Sequence, residues 1–373
     1  MGLTSKAVLT LSTVPAVVLF AATVLIWPRL ARRSVPAVFG RVGLLLATQV
    51  MVFISVGLMA NNSFLFYGSW ADLFGGQQEL GVVTDGAAGT LASKNIVRVG
   101  VQQPDVPGGS RPTAGGRIDK VVIAGRRSKI ESSAYVYLPP EYFQPEYAHR
   151  KFPAVVVLTG YPGTAENLVK RLEYPRTAFD RVKAGRAQPM ILVLLRPTVA
   201  PPRDTECVDI AGGPQTETFF AKDLPQAVSD SYRIGKRARN WGIIGNSTGG
   251  YCALKIGLHH PDRFAASAGL SAYYKAAEDP TTGDLFHGNR AERERANLLW
   301  SLDHLPQPDS SFLVTTSRQG EGNYRSTRRF MAKVKAPAQV SSIVLDSGGH
   351  NFNTWRREIP SALEWMSSRL SEN

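Results

Sequence analysis

The chain has 373 residues, enough for one large domain or two ordinary ones. Hydrophobic residues make up 43% and charged residues 20% of the sequence, which excludes a disordered chain and supplies the side chains for a buried core. The formal net charge is +13, but the sequence has no nucleic-acid-binding motif and no basic helical stripe, so we expect no nucleic-acid partner and interpret the basic surface as one that faces anionic lipid.

Two uncharged apolar runs lie near the N-terminus. Residues 7–27 and 42–60 contain no charged side chain, and about 20 apolar residues are needed to cross the hydrocarbon core of a bilayer. A cleaved signal peptide is a weaker interpretation of the first run, because the second run follows almost at once. The sequence therefore predicts a two-helix transmembrane hairpin over residues 1–62, which contacts the bilayer through both runs.

The charges beside these runs predict their orientation. Before the first run the only basic groups are Lys6 and the α-amine, whereas the connection between the runs carries four arginines: Arg29, Arg32, Arg33 and Arg41. Because short basic loops remain in the cytoplasm, both termini should lie outside. We therefore expect a multi-pass protein of the cell membrane whose large C-terminal part is extracytoplasmic.

Residues 63–116 are predicted to be an interfacial aromatic segment followed by a linker. The aromatic part is equally compatible with a belt at headgroup level and with an amphipathic helix. Its aromatic residues are Phe64, Phe66, Tyr67, Trp70 and Phe74. Residues 75–116 are rich in glycine, proline, serine and threonine, which indicates a loop or linker.

Apolar runs and helical patterns alternate over residues 117–373, the predicted catalytic domain. The candidate strands are residues 119–124, 134–138, 153–158, 190–195, 241–245, 266–270, 312–316 and 342–346. The candidate helices are residues 164–172, 218–232, 248–259, 323–334 and 356–370. Apolar strands that alternate with helices are typical of a mostly parallel sheet covered on both faces. The predicted fold class is therefore α/β, with about eight strands.

One junction between a strand and a helix carries a nucleophile motif. Within NWGIIGNSTGGYCALKIGL (residues 240–258), the pentapeptide GNSTG centred on Ser247 separates an apolar strand from a helix. This is the G-x-S-x-G pattern in the strand–turn–helix context that gives it meaning. The glycines leave room for a sharp turn, and the helix N-terminus directs partial positive charge at a developing oxyanion. The sequence thus predicts an α/β-hydrolase fold with Ser247 as nucleophile.

A serine nucleophile needs a general base, and His350 is the histidine whose position fits. It follows the last predicted strand, and in α/β hydrolases the triad runs nucleophile, acid, histidine along the chain. The acid is then expected at Glu321, in the loop after strand 312–316, where it would orient the imidazole. Asp346, four residues before the histidine, is the main alternative, and Asp303 is a weaker one.

Two backbone N–H groups are candidates for the oxyanion hole. One belongs to Thr248, the residue after the nucleophile. The other should come from the loop within VVVLTGYPGT, residues 155–164. Because Pro162 has no N–H, Tyr161 is the favoured donor and Gly163 the alternative.

The sequence has two cysteines, Cys207 and Cys252. A disulfide between them is permitted if the domain is extracytoplasmic, but their Cα separation, which decides the question, is not given by sequence. No spacing of cysteine and histidine indicates a metal site, and no cofactor is expected.

Together these residues resemble the Putative esterase family of α/β hydrolases, over roughly residues 118–370. That family includes esterase D (S-formylglutathione hydrolase) and the secreted mycolyltransferases of mycobacteria and corynebacteria. ETF at 217–219 with DLP at 223–225 resembles the mycolyltransferase segment before the nucleophile, and GH at 349–350 with Trp355 resembles its histidine loop. A glutamate at position 321 also matches that branch, whereas esterase D uses an aspartate.

The chain departs from the secreted mycolyltransferases in two respects. It keeps a membrane hairpin in place of a cleavable signal, and its nucleophile motif is GNSTG. The two spans with an aromatic segment are similar to actinobacterial membrane esterases, which implies a location at the cell surface.

The resulting hypothesis is a membrane-anchored serine hydrolase that cleaves an acyl ester or lipid substrate through a serine acyl-enzyme. The first alternative is an acyltransferase, similar to the mycolyltransferases, that passes the acyl chain to a sugar or lipid hydroxyl. The second is an inactive scaffold of the cell envelope. The sequence indicates no particular oligomeric state.

Overall fold

The structure is a computed structural model, and it describes residues 3, 5–64, 70, 95–199, 201 and 203–372. It divides into two compact units, residues 1–78 and residues 79–373.

The first unit contains two long apolar helices, α1 (Lys6–Leu30) and α2 (Val35–Phe64). The hydroxyls of Thr23 and Thr48 are 3.0 Å apart and join the two helices. In each helix 11% of the most apolar 18-residue stretch is buried, whereas the core helix of a soluble domain is mostly buried. Both helices are therefore long and apolar enough to span a membrane, and they contain the predicted runs 7–27 and 42–60.

The predicted aromatic segment lies largely outside the described residues. This holds for Phe66, Tyr67 and Phe74, and of Phe64 only the backbone, at the end of α2, is described. The side chain of Trp70 is partly exposed, at 41%.

The second unit is built on a nine-stranded sheet with the order β1-β2-β3-β5-β4-β6-β7-β8-β9. The first three strands are antiparallel, and β3 also runs antiparallel to β5; from β5 to β9 the sheet is parallel. The strands are β1 (Ile96–Gln102), β2 (Arg117–Ala124), β3 (Glu131–Leu138), β4 (Ala154–Leu158), β5 (Ile191–Leu195), β6 (Trp241–Asn246), β7 (Ala266–Leu270), β8 (Ser311–Gln319) and β9 (Gln339–Ser347).

Helices cover both faces of this sheet. They are α3 (Pro112–Gly115), α4 (Ala165–Lys170), α5 (Tyr174–Lys183), α6 (Thr216–Thr218), α7 (Leu224–Ser231), α8 (Thr248–His259), α9 (Arg290–Arg295), α10 (Leu298–His304), α11 (Tyr324–Lys333) and α12 (Phe352–Arg369). A π-helical turn, Phe219–Asp223, joins α6 to α7, and short 3-10 turns lie at Pro140–Phe143, Pro145–Tyr147 and Ala238–Asn240.

The central strands are buried on both faces, and their alternating side chains belong to two separate cores. Val156 and Ile243 point into the core that packs against α7, α8 and α11. Val155 and Ile244 point into the core that packs against α5 and α12. This double burial explains why these strands have continuous apolar sequences without a polar face.

The α/β-hydrolase prediction is confirmed, and all eight predicted strands occur within a few residues of their predicted bounds. The ninth strand, β1, lies in the range 75–116 that was predicted to be a loop or linker. It is an edge strand with only Ile96 buried, and its pairing with β2 is irregular between Arg98 and Gly100. An edge strand buries few side chains, so its sequence lacks the continuous apolar run that identifies the central strands.

Candidate active site

The nucleophile motif forms a sharp turn between β6 and α8. Ser247 has φ 55° and ψ −123°, outside the regions that non-glycine residues normally occupy. Its N–H donates to the carbonyl of Leu270 on the neighbouring strand, with an N···O distance of 3.0 Å. The Ser247 side chain is half-buried, so its hydroxyl is held at the carboxyl edge of the parallel strands.

The glycines on either side of Ser247 are required by close backbone approach. A Cβ on Gly249 would lie 2.3 Å from the carbonyl oxygen of Thr159. A Cβ on Gly245 would lie 2.3 Å from the carbonyl oxygen of Gly249. Real Cβ atoms do not approach backbone so closely, so any other residue here would push the turn away from β4.

His350 lies against the nucleophile. Its Nε2 is 2.8 Å from Ser247 Oγ, a hydrogen-bond distance. The loop that carries it is fixed by the N-terminus of α12, where Asn351 Oδ1 accepts from the N–H of Thr354 at 3.1 Å. Although His350 as a whole is exposed, desolvation lowers its pKa below the usual histidine range. The imidazole is therefore neutral at pH 7, the form that accepts a proton.

Glu321 is half-buried near this pair, in the loop after β8. Its Oε1 accepts a short hydrogen bond from Ser271 Oγ, and its Oε2 accepts from the N–H of Ser317 at 2.9 Å. Within the described residues no hydrogen bond joins this carboxylate to His350. Burial raises the pKa of Glu321, and the two donors oppose that shift. The contacts of the described residues connect this carboxylate to His350 only indirectly, through Ser271 and Trp355.

The two alternative acids are both exposed and paired with basic side chains. The side chain of Asp346 is 99% exposed, and its carboxylate lies 3.7 Å from Arg318. The carboxylate of Asp303 pairs with the ammonium group of Lys333. Of the three candidate carboxylates, only Glu321 accepts a hydrogen bond from Ser271, whose hydroxyl also bonds Trp355, the neighbour of His350.

Sequence reasoning missed a second carboxyl near Glu321. Glu358 on α12 is fully buried, and its Oε2 accepts from Thr315 Oγ1 at 2.9 Å. Burial raises the pKa of Glu358 to about 8, and the charge of Glu321 adds to that shift. Its spacing from Trp355 and Ala362 on the apolar face of α12 was the signal that could have revealed it.

The oxyanion-hole candidates lie on both sides of the nucleophile. Thr248 is the first residue of α8 and is buried. On the other side, the backbone of Gly160 approaches Ser247 so closely that a Cβ on Gly160 would lie 2.9 Å from Ser247 Cβ. Tyr161 follows directly in the chain. The N–H of Gly163, the alternative donor, is engaged within its own turn by the carbonyl of Gly160 at 2.8 Å.

A disulfide joins Cys207, in the loop after β5, to Cys252 on α8, with a Cα separation of 5.7 Å. Lys255, one turn further along α8, donates to the carbonyl of Cys207 and to the carboxylate of Glu217, both at 2.6 Å. This ion pair and its neighbouring histidines hold the pKa of Glu217 well below its usual range despite burial. The loop after β5 is therefore bound to α8 by the disulfide and one hydrogen bond, and the ion pair with Glu217 binds α6 to the same helix.

The same loop carries a buried acid beside the nucleophile helix. Glu206 Oε1 accepts a 2.6 Å hydrogen bond from the hydroxyl of Tyr273, which also contacts the side chain of Thr248. Burial, with Asp204 nearby, raises the pKa of Glu206 to about 8. Across the described residues no group of three or more His, Cys, Asp or Glu side chains is arranged to hold a metal ion.

A family model described as Putative esterase matches residues 127–366, well over half of the chain. The chain belongs to the Putative esterase family. The match covers the predicted nucleophile, base and acid of this esterase in one segment.

A curated relative and several solved structures are similar to this esterase. An uncharacterized protein of Corynebacterium glutamicum is 25% identical over 276 residues, which cover 68% of this chain and 62% of the relative. The chain therefore spans less than two thirds of that relative's length.

Among solved structures, an S-formylglutathione hydrolase from Agrobacterium tumefaciens is 19% identical, with a TM-score of 0.55, and the match covers 69% of this chain and 96% of that one. A ferulic acid esterase is 20% identical, with a TM-score of 0.57, and the match covers 68% and 98%. A fluorophosphonate-binding serine hydrolase of Staphylococcus aureus is 17% identical, with a TM-score of 0.52, and the match covers 66% and 97%. At these identities the structural likeness supports the α/β-hydrolase fold.

Proposed function

We propose that this esterase is a membrane-anchored serine hydrolase that cleaves an acyl ester through an acyl-enzyme on Ser247. The observation that carries the proposal is the 2.8 Å contact between Ser247 Oγ and His350 Nε2, at a residue held in a strained backbone conformation. Strain of this kind persists only where the surrounding structure imposes it, and it is concentrated at functional sites.

The proposed reaction has two halves. Ser247 Oγ attacks the ester carbonyl carbon while its proton passes to His350 Nε2, and the N–H groups of Thr248 and Tyr161 stabilise the oxyanion. His350 then donates that proton to the departing alcohol, which leaves an acyl-enzyme. A water molecule loses a proton to the same nitrogen and attacks the acyl carbon, and the proton returns to Ser247 Oγ as the acid departs.

Glu321 is the proposed acid of this triad. In this role it stabilises the imidazolium that forms in each half-reaction and orients the ring; it does not become protonated itself. The apolar helices α1 and α2 are the proposed membrane anchor, since each is long enough to cross the hydrocarbon core. A lipid or other acyl ester is the proposed substrate class.

A fluorophosphonate probe tests the proposal directly, because it phosphonylates only an activated serine. The full-length protein in detergent should be labelled, and Ser247→Ala and His350→Ala should each abolish labelling. Turnover of an aryl ester should fall on the order of 10⁴–10⁶-fold in both variants. Ser368→Ala, which alters an exposed serine on α12, is the matched control and should label like the wild type.

A folded wild-type protein that stays unlabelled would contradict the proposal, and labelling that survives in Ser247→Ala would assign the activity to another serine. Product analysis with and without a sugar acceptor then separates hydrolysis from acyl transfer, because the two differ only in which hydroxyl attacks the acyl-enzyme.

A further inference from the structure

Ser271 occupies an unusual position between the candidate acid and the candidate base. It directly follows β7, beside the strand that carries the nucleophile, and it is 2% exposed. Its φ is 48°, a left-handed conformation that is uncommon for a residue other than glycine. The surrounding structure must impose this conformation on a buried serine, so the contacts of Ser271 indicate its role.

The Ser271 hydroxyl makes two hydrogen bonds to the catalytic surroundings. It accepts from Trp355 Nε1 at 2.9 Å, and it makes the short contact with Glu321 Oε1 described above. The indole N–H is only a donor, and an ionised carboxylate is only an acceptor. The single hydroxyl proton must therefore point at Glu321, so both hydrogen bonds have a fixed direction.

One of these two partners, Trp355, packs directly against His350. The ring of Trp355 packs edge to face against His350, with centroids 5.2 Å apart and an interplanar angle of 87°. Glu321 carries the negative charge that an imidazolium requires. The Ser271 hydroxyl thus joins the indole that packs against His350 to the carboxylate that would stabilise its charge.

The backbone of Ser271 is held by a hydrogen bond to the neighbouring strand β8. Its N–H donates to Thr315 Oγ1 at 2.9 Å, and that hydroxyl in turn donates to Glu358 Oε2 at 2.9 Å. Burial raises the pKa of Glu358 to about 8, which disfavours a negative charge on this second carboxyl. Glu321, which accepts from Ser271 and from the N–H of Ser317, has the hydrogen bonds that favour an ionised carboxylate.

We propose that Ser271 is a positioning residue of the catalytic site. Its hydroxyl holds the Glu321 carboxylate and the Trp355 indole in fixed positions relative to His350. The inference rests on the proposed function. The Ser271 hydroxyl donates to the Glu321 carboxylate, which favours its ionised form, and it accepts from the indole that packs against the His350 ring. Ser271 itself makes no contact with the reacting atoms.

A double-mutant cycle on the full-length protein in detergent tests this role. Ser271→Gly removes the hydroxyl and relieves the left-handed conformation, so it should fold even if Ser271→Ala does not. We expect Ser271→Gly to lower kcat for a soluble aryl ester about 10–100-fold with KM within about twofold, since a positioned acid–base pair contributes about 10²–10⁴-fold. Trp355→Phe, which removes the pyrrole ring of the indole and with it the N–H donor, should also lower kcat.

The decisive variant combines Ser271→Gly with Glu321→Gln. If the hydroxyl acts through the carboxylate, the double variant should be within about twofold of Glu321→Gln alone. Ser267→Ala is the matched control, because Ser267 is buried on β7, the strand that Ser271 follows, and its hydroxyl has no hydrogen-bond partner among the described residues. It should leave kcat unchanged.

Two results would overturn the inference alone: a Ser247-dependent turnover that Ser271→Gly leaves within twofold of wild type, or losses that multiply in the double variant. Turnover that survives in Ser247→Ala would instead overturn the proposed function together with this inference.

Discussion

Four of the seven described non-glycine residues with a positive φ lie after parallel strands of the sheet, close to the candidate site in the chain. Ser247 and Ser271 follow β6 and β7, and Glu206 and Cys207 lie in the loop after β5. Each has a φ between 47° and 55°, although none is glycine. Such conformations cost about 1–3 kcal/mol each and persist only where the surrounding structure imposes them, so their occurrence after three parallel strands agrees with a functional site at this edge.

The pKa of His350 sets the acid limb of the activity. The base must be neutral to accept the proton of Ser247, so kcat/KM should fall as the pH drops through the pKa of the free enzyme. Because desolvation lowers that pKa, the midpoint should lie below the ordinary value of about 6.5 for histidine. A pH–rate profile of ester hydrolysis measures it.

Glu321→Gln is the control for this profile. It removes the negative charge that favours imidazolium, so it should move the acid midpoint to lower pH in addition to lowering kcat. A midpoint above 6.5 in the wild type would show that His350 is more strongly stabilised as imidazolium than its surroundings indicate.

The residues of the site differ in how far sequence predicts them. Ser247 is indicated by a local motif, and His350 by its order along the chain. Both properties can be recognised without knowing the tertiary structure. The contact between Ser271 and Glu321 joins residues 50 positions apart, and it depends on the register of β7 against β8. No local pattern encodes that register, which is why neither this contact nor the buried Glu358 is predicted.

At the scale of elements, prediction succeeded where burial on both faces imposes a continuous apolar sequence. The central strands β4 and β5 are buried at every position and were located within one residue. Helix α5 was missed because its sequence is mostly polar and has a proline near its start. Its apolar residues are limited to one face. Edge strands and short surface helices have fewer apolar residues than central elements, so tertiary contacts determine whether these segments form a strand or a helix.

The disulfide between Cys207 and Cys252 binds the loop after β5 to helix α8. The two cysteines are 45 residues apart, and closing a loop of that length stabilises a fold by about 4 kcal/mol in the chain-entropy description. We expect the Cys207→Ala/Cys252→Ala variant, or reduction of the wild type, to lower the thermal midpoint of the catalytic domain. Thermal unfolding with and without reductant measures the change.

The variant without the disulfide provides the control for that measurement. Reductant should not shift its midpoint, because no disulfide remains to be reduced. Two freely titrating thiols in the unreduced wild-type protein, with a midpoint that reductant leaves unchanged, would contradict a stabilising disulfide.

For the whole molecule, charge and hydropathy together predict a topology. The arginines that lie between the apolar helices favour the cytoplasm, and a disulfide in the catalytic unit is stable only in an oxidising compartment. These two observations are independent, since one concerns membrane insertion and the other redox chemistry. Both favour the proposed topology, in which α1 and α2 anchor an extracytoplasmic catalytic domain.

Cysteine accessibility in intact cells tests this topology. The native cysteines form a disulfide, so a membrane-impermeant maleimide should react only with an introduced thiol. Ser34→Cys, in the short connection between α1 and α2, should remain unlabelled until the membrane is permeabilised, whereas Ser368→Cys on α12 should be labelled at once. The reverse pattern would invert the orientation, and release of the protein by alkaline extraction would contradict the anchor, because a transmembrane helix resists extraction that removes peripheral proteins.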